Sequence, residues 1–189
     1  MKRLVIFSLC ILMYCTIDAQ EHLKFKGIEI NGNVNTFGKL LEKDGFKLIS
    51  SKGNRLDYSG DFASYANCEI IILGSNKTST IWKVVVFFPD KSTWSETKSL
   101  YKELKEQFSF KYGIGESFEF FKDPYKEGDG YELQAISLDK GNYSTFWKVQ
   151  HGSLMVSISS SGQVYISYED QVNSDLDTIE KKSIMNNDI

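Results

Sequence analysis

Few residues in this chain are of a type that does chemistry, and they are scattered. Its two histidines are His22 and His151. His151 sits in the turn Gln150-His151-Gly152, with Ser159-Ser160-Ser161 a short way on. Together with an aspartate these would supply the side chains of a Ser-His-Asp site, but the strained Gly-x-Ser-x-Gly elbow that presents such a serine is missing. Polar turn residues account for the cluster more simply. Two isolated histidines and a cysteine at no ligand spacing give no zinc motif. The segment Asp123-Pro124-Tyr125-Lys126-Glu127-Gly128-Asp129-Gly130-Tyr131-Glu132 does gather oxygen donors, with Asp123, Glu127 and Asp129 as calcium candidates. Its spacing is not that of an EF-hand loop, and Lys126 opposes a cation. A glycosidase pair would need two of these carboxylates held ~5–10 Å apart. No catalytic residue, metal site or cofactor is assigned from the sequence. A hydrolase working through the 123–132 loop or the His151 turn stands as the rival to a non-enzymatic reading.

The first nineteen residues give an address. Lys2 and Arg3 precede an apolar run from Leu4 to Cys15, and Ile17-Asp18-Ala19 offers a small-residue cleavage site before Gln20. This is the pattern of a secretory signal peptide. A lipoprotein anchor at Cys15 fits less well, because bulky Tyr14 precedes it. Cleavage would discard Cys10 and Cys15, leaving Cys68 as a single thiol in a strand-like run and no internal disulfide. The rest is mildly acidic within a chain of formal net charge −3, so there is no basic footprint for nucleic acid. No later apolar run reaches the ~20 residues of a membrane span. The expectation is an exported chain, periplasmic or extracellular, held together by its core.

Periodicity then places the elements. Phe25 to Ile30 reads as a short strand with a bulge at Gly27. A helix follows, capped at Asn33 or Asn35, carrying Phe37, Leu40 and Leu41 inward and stopping at Gly45; Gly38 weakens it. Strands are expected at Phe46 to Ser50, Leu56 to Gly60, Glu69 to Leu73 and Thr80 to Phe88, the last apolar on both faces. Thr93-x-x-Glu96 has the form of a capping box opening a long amphipathic helix with Trp94, Leu100, Tyr101, Leu104, Phe108 and Tyr112 on one side, closed by Gly113. Further strands are expected at Ser117 to Phe121, Tyr131 to Leu138, Tyr143 to Val149, Leu154 to Ser159 and Gln163 to Tyr168. The tail, 171–189, is polar and either forms a short helix around Leu176 to Ile184 or stays disordered.

Both halves therefore run helix, glycine stop, antiparallel meander. The fold class is α+β, two tandem units of a helix packed on an antiparallel β-meander: a leader over 1–19, units over 20–90 and 91–170, and the tail. With Gly45-Phe46 after the first helix, Lys111-Tyr112-Gly113 after the second and Tyr168-Glu169-Asp170 closing the last strand, this layout resembles the beta-lactamase inhibitor protein-like fold and small exported proteins of Bacteroidetes. The resemblance implies protein binding through the open face of a sheet, using aromatic and charged side chains; the family's disulfides have no counterpart here.

Aromatic residues are the remaining signal. Tyr143, Trp147, Met155 and Tyr165 cannot all share the face that holds Leu154, Val156, Val164 and Ile166, so some point to the opposite side of the sheet. Tyr and Trp suit surfaces that are apolar at one end and wet at the other. These four are the candidate contact residues for a protein or glycan partner, unless a second layer covers them. The leading expectation is an exported non-enzymatic binding module; a structural envelope component assembled through its tail is a further alternative.

Overall fold

The computed structural model describes residues 21–188; the leader over 1–19, its cleavage point, Cys10 and Cys15 lie outside them. A two-stranded ribbon, β1 (Lys24–Phe25) and β2 (Ile28–Glu29), opens the described chain. Here the expected strand with a bulge is a tight hairpin: Lys26 and Gly27 both take positive φ, reversing the chain between two short strands.

Helix α1 (Val34–Lys43) is capped by the Asn33 side chain, which accepts the Asn35 N–H, and stops where Gly45 adopts φ +94°. Val34, Phe37 and Leu41 are buried, while Leu40, expected inside, is 39% exposed. Strands β3 (Lys47–Lys52), β4 (Arg55–Phe62), β5 (Tyr65–Gly74) and β6 (Ile81–Phe87) follow. Helix α2 (Trp94–Tyr112) begins with the expected capping box, Thr93 and Glu96 each accepting the other's backbone N–H (3.2 and 3.1 Å). Then come β7 (Glu116–Phe121), α3 (Glu132–Ser137), β8 (Gly141–Val149), β9 (Gly152–Ile158), β10 (Val164–Asp170) and α4 (Gln171–Asp188).

One expected strand, Tyr131 to Leu138, is helical instead. Its enclosed residues are Glu132, Ala135 and Ile136, a spacing of three to four that only a helix puts on one side. Asp129 sets up the turn by accepting the N–H groups of Lys126 (2.9 Å) and Tyr131 (2.8 Å).

All eight longer strands join one antiparallel sheet in the order β3-β4-β5-β6-β10-β9-β8-β7. β6 and β10 meet at its centre, Val86 opposite Ile166 and Val84 opposite Tyr168. One parity of side chains across the sheet enters a single core: Leu56 and Tyr58; Cys68, Ile70 and Ile72; Val84 and Val86; Ile166 and Tyr168; Leu154 and Val156; Trp147. From the other side this core receives Val34, Phe37 and Leu41 of α1 and Leu100, Tyr101, Leu104 and Phe108 of α2. Burying such residues supplies most of the stabilisation, at ~1.5–3 kcal/mol each.

Helix α4 is held differently. Its enclosed stripe is polar, Asn173, Asp177 and Glu180. It crosses one end of the sheet, and Glu180 accepts the Lys77 N–H (2.7 Å) and the Thr78 hydroxyl (2.7 Å) from the β5–β6 turn. At its start Asn173 donates to the Ile30 carbonyl (2.8 Å). Among the described residues no helix is long and apolar enough to cross a membrane.

Gly38 lets α1 lie close on the sheet. A Cβ there would sit 2.3 Å from the Tyr58 hydroxyl and 2.9 Å from Leu56 Cδ1, both on enclosed side chains. Alanine at this position gains ~1 kcal/mol of helix propensity and meets overpacking worth ~1–3 kcal/mol. Gly38→Ala should therefore lower stability in urea unfolding, against its propensity.

Candidate functional site

The loop between β7 and α3 carries the sequence-derived calcium candidates, and two of their carboxylates, those of Glu127 and Asp129, are engaged within the protein. Glu127 Oε1 accepts the Trp94 indole N–H (3.0 Å) and the Lys98 ammonium (2.7 Å), and Oε2 accepts the Tyr143 hydroxyl. Asp129 bonds the backbone of its own turn, as above, and Asp123 precedes Pro124 on the exposed stretch of the loop. Glu127 and Asp129 thus spend their carboxylates on internal donors, and among the described residues no group of three or more His, Cys, Asp or Glu side chains is arranged to hold a metal. The loop instead straps α2 to β8. Burial pushes the Glu127 carboxyl upward, but hydrogen bonds from Lys98, Trp94 and Tyr143, with the Lys98 charge, outweigh it and hold the pKa at about 2.

The two histidines, far apart in sequence, line one hollow with Glu21, Leu23, Lys24 and Glu29. His151 Nε2 lies 2.9 Å from a Glu21 carboxylate oxygen, and His22 Nδ1 lies 3.1 Å from Asp170 Oδ1. Asp170 is fully enclosed and also accepts the N–H groups of Leu23 (2.8 Å) and Asn173 (3.0 Å). That arrangement fastens the N-terminal segment to the end of β10. The serine cluster is elsewhere: Ser159 and Ser161 bond each other (2.8 Å) at the far end of β9 from His151. Seven residues at ~3.4 Å each put more than about 20 Å between them, so no Ser-His-Asp constellation forms there. Cys68 is enclosed, and burial raises its thiol pKa, which removes the thiolate needed for reactivity.

The sheet divides the four aromatic and methionine candidates. Tyr143 and Trp147, 5% and 3% exposed, lie on the helix-covered face. Tyr143 packs against Trp94, Tyr101 and Phe121 and gives its hydroxyl to Glu127; Trp147 packs on Phe108 and donates its indole N–H to Gly113 O (2.9 Å). Both are core residues, a correction to their candidate role as partner contacts. Met155 and Tyr165 have the opposite parity and stand half-buried on the other face.

That face can be read in rows from the strand register. One row runs Ser59, Glu69, Phe87, Tyr165, Ser157, Ser144, Phe118. The next runs Asp57, Ile71, Val85, Ser167, Met155, Phe146, Glu116. Phe87 and Tyr165 have ring centroids 5.2 Å apart, and Phe118 and Phe146 6.1 Å apart. Phe118, Phe120 and Phe146 are 43%, 42% and 40% exposed. From β5 to β7 this apolar band crosses about 24 Å at ~4.8 Å per strand. A third row is charged, with Arg55, Lys83, Glu169 and Lys148, and Lys83 and Glu169 are paired at 3.0 Å. Helix α4 borders this charged end, where Lys181 lies 5.2 Å over Trp82 and Ser174 bonds Glu169.

Phe87, Phe118, Phe120 and Phe146 lie on this face and are not among the sequence-derived candidates. A usable signal was present in β8. Tyr143, Thr145, Trp147 and Val149 form a more apolar set than Asn142, Ser144, Phe146 and Lys148, so the first set belongs inside and Phe146 outside.

The loop strap carries a pH signature. Because Glu127 sits below the ordinary 4.5, its ionised form contributes stability in full above about pH 4.5, and this is lost as the pH falls toward about 2. In the folded protein the Trp94 indole N–H resonance should titrate at the lower end of that window, with its midpoint at about pH 2, and Glu127→Gln should abolish the transition. Comparison of the chain with protein-family models, with curated proteins and with solved structures gives no match.

Proposed function

We propose that this chain is an exported, non-enzymatic binding module that meets a protein partner on the sheet face opposite α1 and α2. The observation that carries this reading is the composition of that face: Phe87, Tyr165, Met155, Phe146, Phe118 and Phe120 beside Ile71 and Val85, with charged residues confined to its margins. Protein interfaces have this anatomy, an aromatic and methionine-rich centre depleted of charge inside a polar rim. Phenylalanine dominates over hydrogen-bonding groups at the centre, which favours a protein surface over a glycan. A contiguous apolar patch rimmed by polar residues on one side of a sheet is the form that interaction sites take. The leader-like first nineteen residues support an extracytoplasmic setting, and the engagement of the histidines and of Glu127 and Asp170 as internal connectors supports a role without catalysis.

The order of elements supports a duplicated origin in the same reading. α1 and the four strands β3 to β6 have their counterpart in α2 and β7 to β10, and each set contributes four consecutive strands to the sheet. Two such units, joined through β6 and β10, are the arrangement implied by the resemblance to the inhibitor-like fold, whose members bind through an open sheet face.

The test is capture from envelope extract and culture supernatant on the immobilised chain, compared with a Met155→Ser/Tyr165→Ser variant. A protein captured by the parent and lost from the variant is the expected result. Equal capture by both, or retention of glycans alone, would overturn the reading. Stability separates surface from core: Tyr165→Ser should cost about 1 kcal/mol, whereas Trp147→Ala should cost ~3–5 kcal/mol.

A further inference from the structure

The eight-stranded sheet has two edges, β3 and β7, and they differ in how they meet solvent. β3 carries Lys47 and Lys52 at its ends and a register shift between Leu48 and Ser50. Lysines and bulges are the devices that stop a further strand from adding to an edge. β7 has neither. Its register with β8 is unbroken from Glu116 to Phe121, and it contains no lysine or proline.

The direction of its backbone groups follows from one bond. Just past the strand, the Lys122 N–H bonds Lys140 O (2.7 Å), continuing the same register. In an antiparallel ladder, bonding to one neighbour alternates along the strand. Glu116, Phe118 and Phe120 therefore bond β8, and Ser117, Glu119 and Phe121 turn their N–H and C=O groups away from the sheet. Exposed apolar side chains lie on this strand and in the chain leading into it. Ile114 is 100% exposed just ahead of β7, Phe110 is 95% exposed in the last turn of α2, and Phe118 and Phe120 follow on the strand.

The sequence of β7 is complementary to itself. Pairing two copies antiparallel about a twofold axis through Phe118 sets Phe118 against Phe118, Ser117 against Glu119 and Glu116 against Phe120. The outward backbone groups of Ser117 and Glu119 then bond one another, and no like charges stand opposite. Lys122 faces Ile114 of the second copy and lies diagonal to Glu116 of the second copy, within reach of an ion pair. The two adjacent twofold registers are poorer. An axis through Glu119 opposes two carboxylates, and an axis through Ser117 sets Phe121 against Gly113, which lies outside the strand at φ +87°. A slip of one residue mismatches the two faces of the sheet.

We propose that a second copy of this chain docks on β7, in antiparallel β7–β7 pairing centred on Phe118, so that two sheets become one across a twofold axis. Such an isologous interface closes on itself and leaves β3 guarded.

Sedimentation over a range of micromolar concentrations should show the parent chain as a concentration-dependent dimer. Ser117→Pro removes one outward N–H and should give a monomer with an unchanged near-ultraviolet circular dichroism spectrum. The register has its own readout. Opposed non-hydrogen-bonded residues have Cα atoms ~4.5 Å apart, within disulfide range. In a C10S/C15S background, with Cys68 enclosed, F118C should therefore form a covalent dimer on mild oxidation, whereas E116C, which faces position 120, should not. A parent chain that stays monomeric at all concentrations would overturn the proposal. So would a dimer in which F118C fails to cross-link, whether or not Ser117→Pro folds.

Discussion

Everything in this molecule depends on the pairing of β6 with β10 at the centre of one sheet. It makes the strict alternation of side chains continuous across eight strands, so a residue's parity in its strand decides which of two environments it enters. Residues of one parity are closed off by α1 and α2 into a single core from Leu56 to Trp147. Those of the other parity share a second surface, whatever their place in the chain. Phe87 of β6 and Phe118 of β7 fall in one row because β10, β9 and β8 lie between them in register.

Around this frame, polar contacts do the fastening that apolar burial does not. The N-terminal segment is tied to β10 through His22, Leu23 and Asp170, the loop after β7 is tied to α2 and β8 through Glu127, and α4 is tied to the β5–β6 turn through Glu180. Each carboxylate accepts several donors at once, so it is well compensated for its partial removal from water. The residues most suggestive of chemistry in the sequence turn out to be occupied as structural connectors.

Legibility in the sequence followed the range of the interactions. Local signals were readable: the Asn33 cap, the Thr93-Glu96 box, the glycine stops and the alternation of most strands all depend on neighbours a few residues away. One element departs from its sequence reading and another was only half specified, both for physical reasons. Residues 132–137 are too short for a clear helical period. The tail takes the helical one of its two expected alternatives, but over Gln171–Asp188 rather than Leu176 to Ile184. Its full extent is hidden because the stripe it buries, Asn173, Asp177 and Glu180, is polar, while Ile179 and Met185 face outward. An apolar periodicity finds nothing there. The candidate surface is half legible: alternation shows that some of Tyr143, Trp147, Met155 and Tyr165 face away from Leu154 and Ile166, but it does not say which, and Tyr143 and Trp147 of β8 belong to the core. The meeting of His22 with Asp170 joins residues 148 positions apart and has no local signature at all.

The position of β10 also imposes an order in time. The strand that completes the middle of the sheet is the last to be synthesised, and Lys83 of β6 meets Glu169 only after a further 86 residues of chain. Until then β6, with Val84, Val85 and Val86 in succession, is itself an edge, apolar on both sides and open to any passing strand. Contacts of such long sequence separation form slowly, because the loop entropy must be met before they reward it. The nascent first half is thus the vulnerable stage of this protein's life, and the arrival of β10 is the event that ends it.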